Sequence, residues 1–373
     1  MVKIVNAPDV SPLAVARQRF AAIRAELAEK NIGALYVTHL PSIRYLTNFS
    51  GSNGSLLLAH DFSAFFTDDR YAEQVKTELY ALQDLRVHIE RDPVGYIAQN
   101  NLLSGINNLG FDPARMNYSA VMSLRTNLKG TSLKRIEGVV ERQTMKKAPH
   151  EAALIRKAGD IQHRVFNEIL PLIKPGVKEC DLAAEIVYRG RKYGAEKEAF
   201  DIIALAGDHS AWVHGRASDR TINNGEMITF DFGFFYQGFA SDVTRTVACG
   251  EPGMEARKVY EIVRRAHAES IAAARAGIGA KALDAVARDI ITAEGYGDYF
   301  KHTLGHGLGI EVHEAPGVSY RNTKGVIPES AVVTIEPGIY LPGKFGVRIE
   351  DDVWITSAGC EILSSGSSEL IIL

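Results

Sequence analysis

Cysteine is scarce in this chain: three in 373 residues, Cys180, Cys249 and Cys360, with no Cys-x-x-Cys spacing among them. Their odd number and scatter exclude a disulfide framework and a thiolate zinc site, so they read as reduced, buried thiols. Charge of one sign is lacking too. A formal net charge of −3 gives no long-range field toward nucleic acid or an anionic membrane, and neither is expected as a partner. No apolar run reaches the ~18 residues a membrane span requires, and the segment Met1 to Asp9 lacks the apolar centre of a secretion signal. A cytoplasmic location is the expectation. What is present, 46% hydrophobic and 23% charged residues, is the balance of a packed globular chain whose length fits two domains.

Helical periodicity runs from Pro12 to Lys30, and apolar runs at Ala34 to Thr38, Ser55 to Ala59, Ala64 to Thr67 and Asn108 to Phe111 read as strands. Together they predict a small mixed α/β layer. A polar stretch from Thr144 to His150 then leads into an amphipathic helix over Glu151 to Leu172, which places the domain boundary between residues 1–143 and 144–373. The second part looks duplicated. Helices over Glu151 to Leu172 and Cys180 to Tyr193 precede one β-rich pair of runs, and helices over Glu255 to Ala276 and Ala282 to Glu294 precede another.

Each β-rich pair carries two acids. Ile228 to Gly233 and Phe239 to Val247 alternate with period two around a short turn; folding them about Tyr236 and Gln237 sets Asp231 opposite Asp242. Val332 to Glu336 and Gly346 to Glu350 repeat the pattern, and folding about Gly343 sets Glu336 opposite Glu350, with Arg348 on the same face. Like charges on one face of an antiparallel pair are destabilising unless something positive lies between them. A single carboxylate is ordinarily a surface residue. Here the flanks Ile228, Phe230, Phe232, Val333 and Ile335 put the strands inside a packed domain, where carboxylates are paired or bound to metal.

Between the two acid pairs lies His306, in Gly305-His306-Gly307-Leu308-Gly309. His302 and His306 have the spacing of a zinc-protease helix, but Thr303 stands where that signature needs Glu, and the glycines argue against any helix. No Lys-Ser/Thr follows to make a phosphate loop. The glycines are expected to let the backbone pass close to a metal centre while His306 supplies an imidazole. His214 and His313 sit in loops that either border the same cleft or face solvent.

These segments resemble the creatinase, prolidase and methionine aminopeptidase superfamily, most closely its proline-specific branch of Xaa-Pro dipeptidases and short aminopeptidases P. The resemblance spans nearly the whole chain. Arg44 to Ser52 is similar to the start of the creatinase-type N-terminal domain. Asp231-Phe232-Gly233, Ser241-Asp242-Val243-Thr244-Arg245-Thr246, Gly305 to Gly309, Ile335-Glu336-Pro337-Gly338 and Val347-Arg348-Ile349-Glu350-Asp351-Asp352 are similar to five ligand segments in the family's order. One departure is Trp212-Val213 ahead of His214, where many short relatives carry Pro before the pocket histidine.

The resemblance implies an α+β fold, with a small α/β creatinase-type domain followed by a pseudo-twofold pita-bread catalytic domain. It also implies a dinuclear exopeptidase that cleaves Xaa-Pro bonds with a metal-bridged hydroxide. Asp231, Asp242, His306, Glu336 and Glu350 would be the ligands, with Asp242 and Glu350 bridging and Glu336 also moving the proton. His214, His302, His313 and Arg348 would line the pocket, orient the substrate and stabilise the tetrahedral intermediate. The oxygen-dominated ligand set points to manganese first, with cobalt or zinc as alternatives. Substrates would be small peptides with proline in the second position, and a homodimer is implied. Two rival readings, a metal-free creatinase-like amidinohydrolase and a non-catalytic peptide-binding module, would be expected to have lost several of these acids.

Overall fold

The computed structural model describes residues 11–373, and the segment Met1 to Asp9 lies outside them. The chain divides into two compact units, Met1–Thr144 and Met145–Leu373.

In the first unit the helix Pro12–Glu29 starts at Ser11, whose hydroxyl accepts from Ala14 N at 3.2 Å, with Pro12 in the first turn where its missing N–H costs nothing. Six strands form one mixed sheet in the order Leu85–Ile89, Ser63–Thr67, Ser55–Ala59, Ala34–Val37, Asn108–Phe111, Ser132–Arg135. The four inner strands are those expected from their apolar runs. The two outer ones escape such reading because an edge strand is half-solvated: Leu85–Ile89 and Ser132–Arg135 contain no fully buried residue. A short helix, Leu40–Thr47, also has no counterpart among the expected elements; it ends at Asn48, left-handed at φ 69°.

The second unit is α+β and built twice. The helices Pro149–Ile169 and Glu179–Lys192 precede one set of strands, and Met254–Ala273 and Ala280–Ala293 precede the other. The backbone repeats the same connections in each half. Gly176 N bonds Ile222 O and Glu179 N bonds Arg220 O; correspondingly, Gly277 N bonds Ile327 O and Ala280 N bonds Gly325 O. Each half buries its own core. Val165, Phe166 and Ile186 pack with Ile228 and Phe230, while Val259, Val263 and Leu283 pack with Val333, Ile335 and Val353.

The strand register corrects one expectation. Residues 226–232 pair with 243–249 so that Thr244, not Asp242, stands opposite Asp231. The turn lies one residue later than expected, at Gln237 and Gly238, both with positive φ (46° and 88°). A two-residue hairpin turn of this hand needs left-handed backbone at both central positions, which Gly238 adopts without strain. The one-residue displacement moves every partner by two, so Asp231 and Asp242 are diagonal neighbours on one face rather than direct partners. In the other half the register is as expected. Ile335 pairs with Asp351 and Gly338 with Arg348, so Glu336 and Glu350 fall opposite each other in the gap between the two ladders.

The acid-bearing strands of the two halves are joined edge to edge. Glu350 N donates to Thr244 O at 3.1 Å, and Thr246 Oγ1 donates to Arg348 O at 2.9 Å. All three cysteines are free. Cys249 is buried as expected, but Cys180 and Cys360 are partly exposed.

Candidate metal centre

Asp231 is the penultimate residue of the strand Glu226–Phe232, and Asp242 immediately precedes the strand Val243–Cys249. Glu336 follows Val332–Ile335, and Glu350 precedes Asp351–Ile355. Asp242, Glu336 and Glu350 therefore sit where a ladder stops, while Asp231 reaches the same face from within its strand, paired with Thr244 on one side and Ile203 on the other. His306 comes from the middle of Gly305–Gly307, a strand paired to Val333. Its Nε2 lies 3.6 Å from Asp242 Oδ2 and 3.5 Å from Glu336 Oε1. One ligand atom each from Asp242, His306 and Glu350 falls within 4.8 Å of the others, a spacing that fits a shared cation.

Glycines 305, 307 and 309 are each required by a close approach within the protein. A Cβ at 305 would collide with Thr334 O, and one at 307 with Ala315 O. At 309 it would stand 2.6 Å from Lys147 Cε and 2.9 Å from Glu314 Oε2. The close approach that forbids a side chain is to neighbouring backbone at 305 and 307 and to an ion pair at 309.

The electrostatics of the cluster require positive charge. Burial, reinforced by repulsion from Asp231, Asp352 and Glu336, holds the Asp242 carboxyl well above the usual carboxylate range. Burial does the same to Glu350, with Asp242 and Glu336 adding to it, and pushes Glu336 up to about 8, with Arg348 opposing and Asp231 reinforcing. Two oxygens, Asp231 Oδ1 and Asp352 Oδ1, are buried with no hydrogen-bond partner. Burying anionic oxygens without a donor is costly, and a cation among them removes that cost. The His306 ring is poised likewise: its Nδ1 donates to Gly307 O at 3.1 Å, which leaves Nε2 as a lone pair aimed at the acids. Burial, then the neighbouring His313, lowers its pKa to about 4, favouring the neutral ring a metal needs.

Around the acids runs a hydrogen-bond frame that sequence reading largely missed. Thr244 Oγ1 donates to Glu350 Oε2 at 2.5 Å and accepts from Arg348 Nε at 3.0 Å. Thr334 Oγ1 donates to Glu336 Oε1 at 3.1 Å and accepts from His306 N at 3.1 Å. Asp352 accepts from Asp242 N at 3.1 Å. Alternation was the available signal, since Asp242, Thr244 and Thr246 share one strand face, as do Thr334 and Glu336. Tyr340, buried in the strand Gly338–Leu341, accepts from Arg348 and bonds His302 Nε2 at 2.8 Å, and no local pattern marks it.

The remaining expected site residues fall as follows. Arg348 is buried, and each of its three side-chain nitrogens donates within the protein: Nε to Thr244, Nη1 to Tyr340 and Val213 O, Nη2 to Asp231 at 2.5 Å. His302 has both ring nitrogens bonded, to Thr303 O and Tyr340, and burial followed by the Arg348 charge lowers its pKa to about 3. His313 is exposed with its ring centroid 4.2 Å from that of His306. His214 is exposed, and close enough to His302 and His313 that its charge contributes to depressing both.

Among the described residues no helix is long and apolar enough to cross a membrane. Two family models match: Creatinase/Prolidase N-terminal domain over residues 19–145 and Metallopeptidase family M24 over residues 153–357. A relative called Xaa-Pro dipeptidase, from Pyrococcus horikoshii, is 36% identical over 351 residues, covering 93% of this chain and 97% of the relative. Among solved structures, an Xaa-Pro dipeptidase from Bacillus anthracis superposes with a TM-score of 0.91 at 37% identity, covering 96% of this chain and 100% of that one. An X-Pro aminopeptidase from Thermotoga maritima does so at 0.87 and 35%, covering 95% and 99%. With both of its compact units accounted for in this way, the chain belongs to metallopeptidase family M24, as a peptidase preceded by a creatinase-type domain.

Proposed function

We propose that the protein is an exopeptidase that hydrolyses Xaa-Pro bonds with two divalent cations, manganese first, held by Asp231, Asp242, His306, Glu336 and Glu350. The observation that carries the reading is the grouping of Asp242, Glu336 and Glu350 about His306, with Asp231 close enough for its charge to act on Asp242 and its Oδ1 buried without a partner. Asp242 and Glu350 would be shared between the two ions, as the family resemblance implies, and with His306 they place one ligand atom each within 4.8 Å of the others. Oxygen donors in this number favour a hard ion such as Mn²⁺ over one that prefers thiolate.

Bound there, divalent cations would lower the pKa of a water and offset the charge that grows on the scissile carbonyl oxygen. Glu336 would accept the proton of the attacking water and deliver it to the proline nitrogen as the C–N bond breaks, from a position 3.5 Å from His306 Nε2 with one oxygen held by Thr334. His214 and His313, the exposed histidines of the cluster, donate to the carbonyl oxygen or the peptide terminus, where fixed donors meet developing charge. Arg348 keeps Asp231 and Thr244 in place, with four of its five N–H groups committed within the protein and one Nη2 hydrogen left for substrate. His302, bonded through Tyr340 to the same arginine, forms a wall of the pocket. The Xaa-Pro preference is supported by the names of the relatives, and by a tertiary amide having no N–H for a pocket to satisfy. A homodimer in the cytoplasm completes the reading, and light scattering of the purified protein tests the dimer.

The deciding experiment strips the protein with chelator, restores Mn²⁺, and compares an Xaa-Pro dipeptide, an Xaa-Pro-Xaa tripeptide and an Xaa-Ala dipeptide. Metal-restored cleavage of the first marks a dipeptidase and of the second an aminopeptidase. Failure to cleave either, or equal cleavage of the Xaa-Ala control, rejects the proline assignment.

A further inference from the structure

Glu179 is a carboxylate that the chemistry above does not use, yet it is 1% exposed. It opens the helix Glu179–Lys192, and its oxygens accept from four donors. Oε1 takes Ala206 N at 2.8 Å; Oε2 takes Ser218 N at 3.1 Å, Ser218 Oγ at 2.8 Å and His209 Nδ1 at 3.2 Å. Those donors stand at the start and the end of one loop, 206–218, which bears Trp212 and His214.

Within the loop the chain is tightly turned. Trp212 N bonds His209 O and Gly215 N bonds Trp212 O, while the His209 ring stacks on the Trp212 indole with centroids 3.9 Å apart. The far side of the loop is fastened to the acid cluster. Ser210 Oγ accepts from Gly346 N at 2.8 Å, and Val213 O accepts from Arg348, the partner of Asp231. Trp212 stays 52% exposed, held rigid by its stack instead of by burial. The other half of the unit has a parallel: Asp284, one turn into the corresponding helix, accepts from Leu304 N at 2.9 Å, ahead of the strand that carries His306.

We propose that Glu179 is a positioning residue for the substrate pocket: it clamps both ends of the 206–218 loop and so sets where Trp212 and His214 stand beside the acid cluster. A carboxylate is required because four donors converge on it, and an amide at the same place would offer one acceptor oxygen and set N–H against N–H. The activity arm of the test rests on the Xaa-Pro reading, and the spectroscopic arm does not.

The test uses full-length protein with Trp354→Phe, which leaves Trp212 as the sole tryptophan of the two in the sequence. Into it are placed Glu179→Gln and, separately, the milder Ser218→Ala. Glu179→Gln is expected to raise acrylamide quenching of Trp212 about two-fold and KM for an Xaa-Pro peptide about ten-fold, with kcat within about three-fold. Metal affinity by titration calorimetry stays unchanged, and Ser218→Ala moves quenching and KM the same way by less. Unaltered quenching and KM in a folded Glu179→Gln protein overturn the proposal, as does a loss of metal affinity in step with kcat. If Glu179→Gln does not fold, Ser218→Ala decides on the same two readouts. If the parent cleaves no Xaa-Pro peptide, only the functional reading fails, and the quenching result alone decides the clamp.

Discussion

Arg348 donates to Oδ2 of Asp231 at 2.5 Å, while Oδ1 of the same carboxylate is buried without a partner. One oxygen is committed to a fixed cation, and the other has no donor, while the Asp231 and Glu336 charges both act on Asp242. The arginine thus offsets part of the repulsion that burial imposes, and removing one member of a buried pair leaves the other charge uncompensated. Arg348→Met is expected to cost the metal-free protein about 3–5 kcal/mol. The metal-loaded protein should lose less, because a bound cation serves the same oxygens. Denaturant midpoints with chelator and with Mn²⁺ measure both; equal losses in the two states would contradict this account.

Glu336 differs from the other three acids in being only partly buried, with Thr334 donating to one of its oxygens. As the group proposed to move the proton, it is expected to tolerate replacement poorly in rate and better in metal content. Glu336→Gln should lower kcat by about 10²–10⁴-fold, the range of general acid–base catalysis. Metal analysis of the variant should still find bound Mn²⁺. Activity within ten-fold of the parent, on the order of ordinary binding effects, would assign the proton transfer elsewhere.

Stability of the stripped protein should depend on pH in a direction set by the same acids. Burial and mutual repulsion raise Asp242 and Glu350, and Glu336 reaches about 8. A carboxyl whose folded pKa lies above its unfolded value contributes most below the unfolded value, about 4, and that contribution is lost as pH rises through the folded pKa. Chelated protein is therefore expected to weaken steadily from about pH 4 to about pH 8. Mn²⁺ favours the charged carboxylates and should flatten the curve. Thermal midpoints across that window, with and without metal, give the comparison, and parallel curves would rule out the cluster as the cause.

How much of this could be read from the chain differs residue by residue. Period-two runs around Asp231 and Glu336 marked the strands, because their buried flanks leave a local alternating signal. The Glu336 to Glu350 register followed from symmetric folding about Gly343, whereas that of Asp231 and Asp242 was displaced because the left-handed pair is Gln237 and Gly238. Edge strands such as Leu85–Ile89 were silent because half-solvated residues lose the apolar contrast. Contacts such as Arg348 to Tyr340 to His302 join segments through tertiary packing, and nothing within any one segment encodes them.

The loop that carries His313 is held from beneath by a dry ion pair. Lys147 Nζ lies 2.8 Å from Glu314 Oε2, with side-chain exposures of 2% and 3%, and Glu314 Oε1 accepts from Glu311 N. Gly309 passes over this pair with no room for a Cβ. Such a pair returns little net stability once both charges have left water, but breaking it on one side strands the other charge. Lys147→Met alone is expected to cost about 3–5 kcal/mol, and the double change Lys147→Met with Glu314→Met to recover most of that. The recovered protein should nevertheless bind peptide less well, because Glu311 N has lost its acceptor and the chain leading to His313 is no longer fixed. Denaturant midpoints of the two single variants and the double variant, with KM measured on each, complete the cycle. Additive stability losses would show that the two charges act independently, and an unchanged KM in the double variant would free His313 from dependence on the pair.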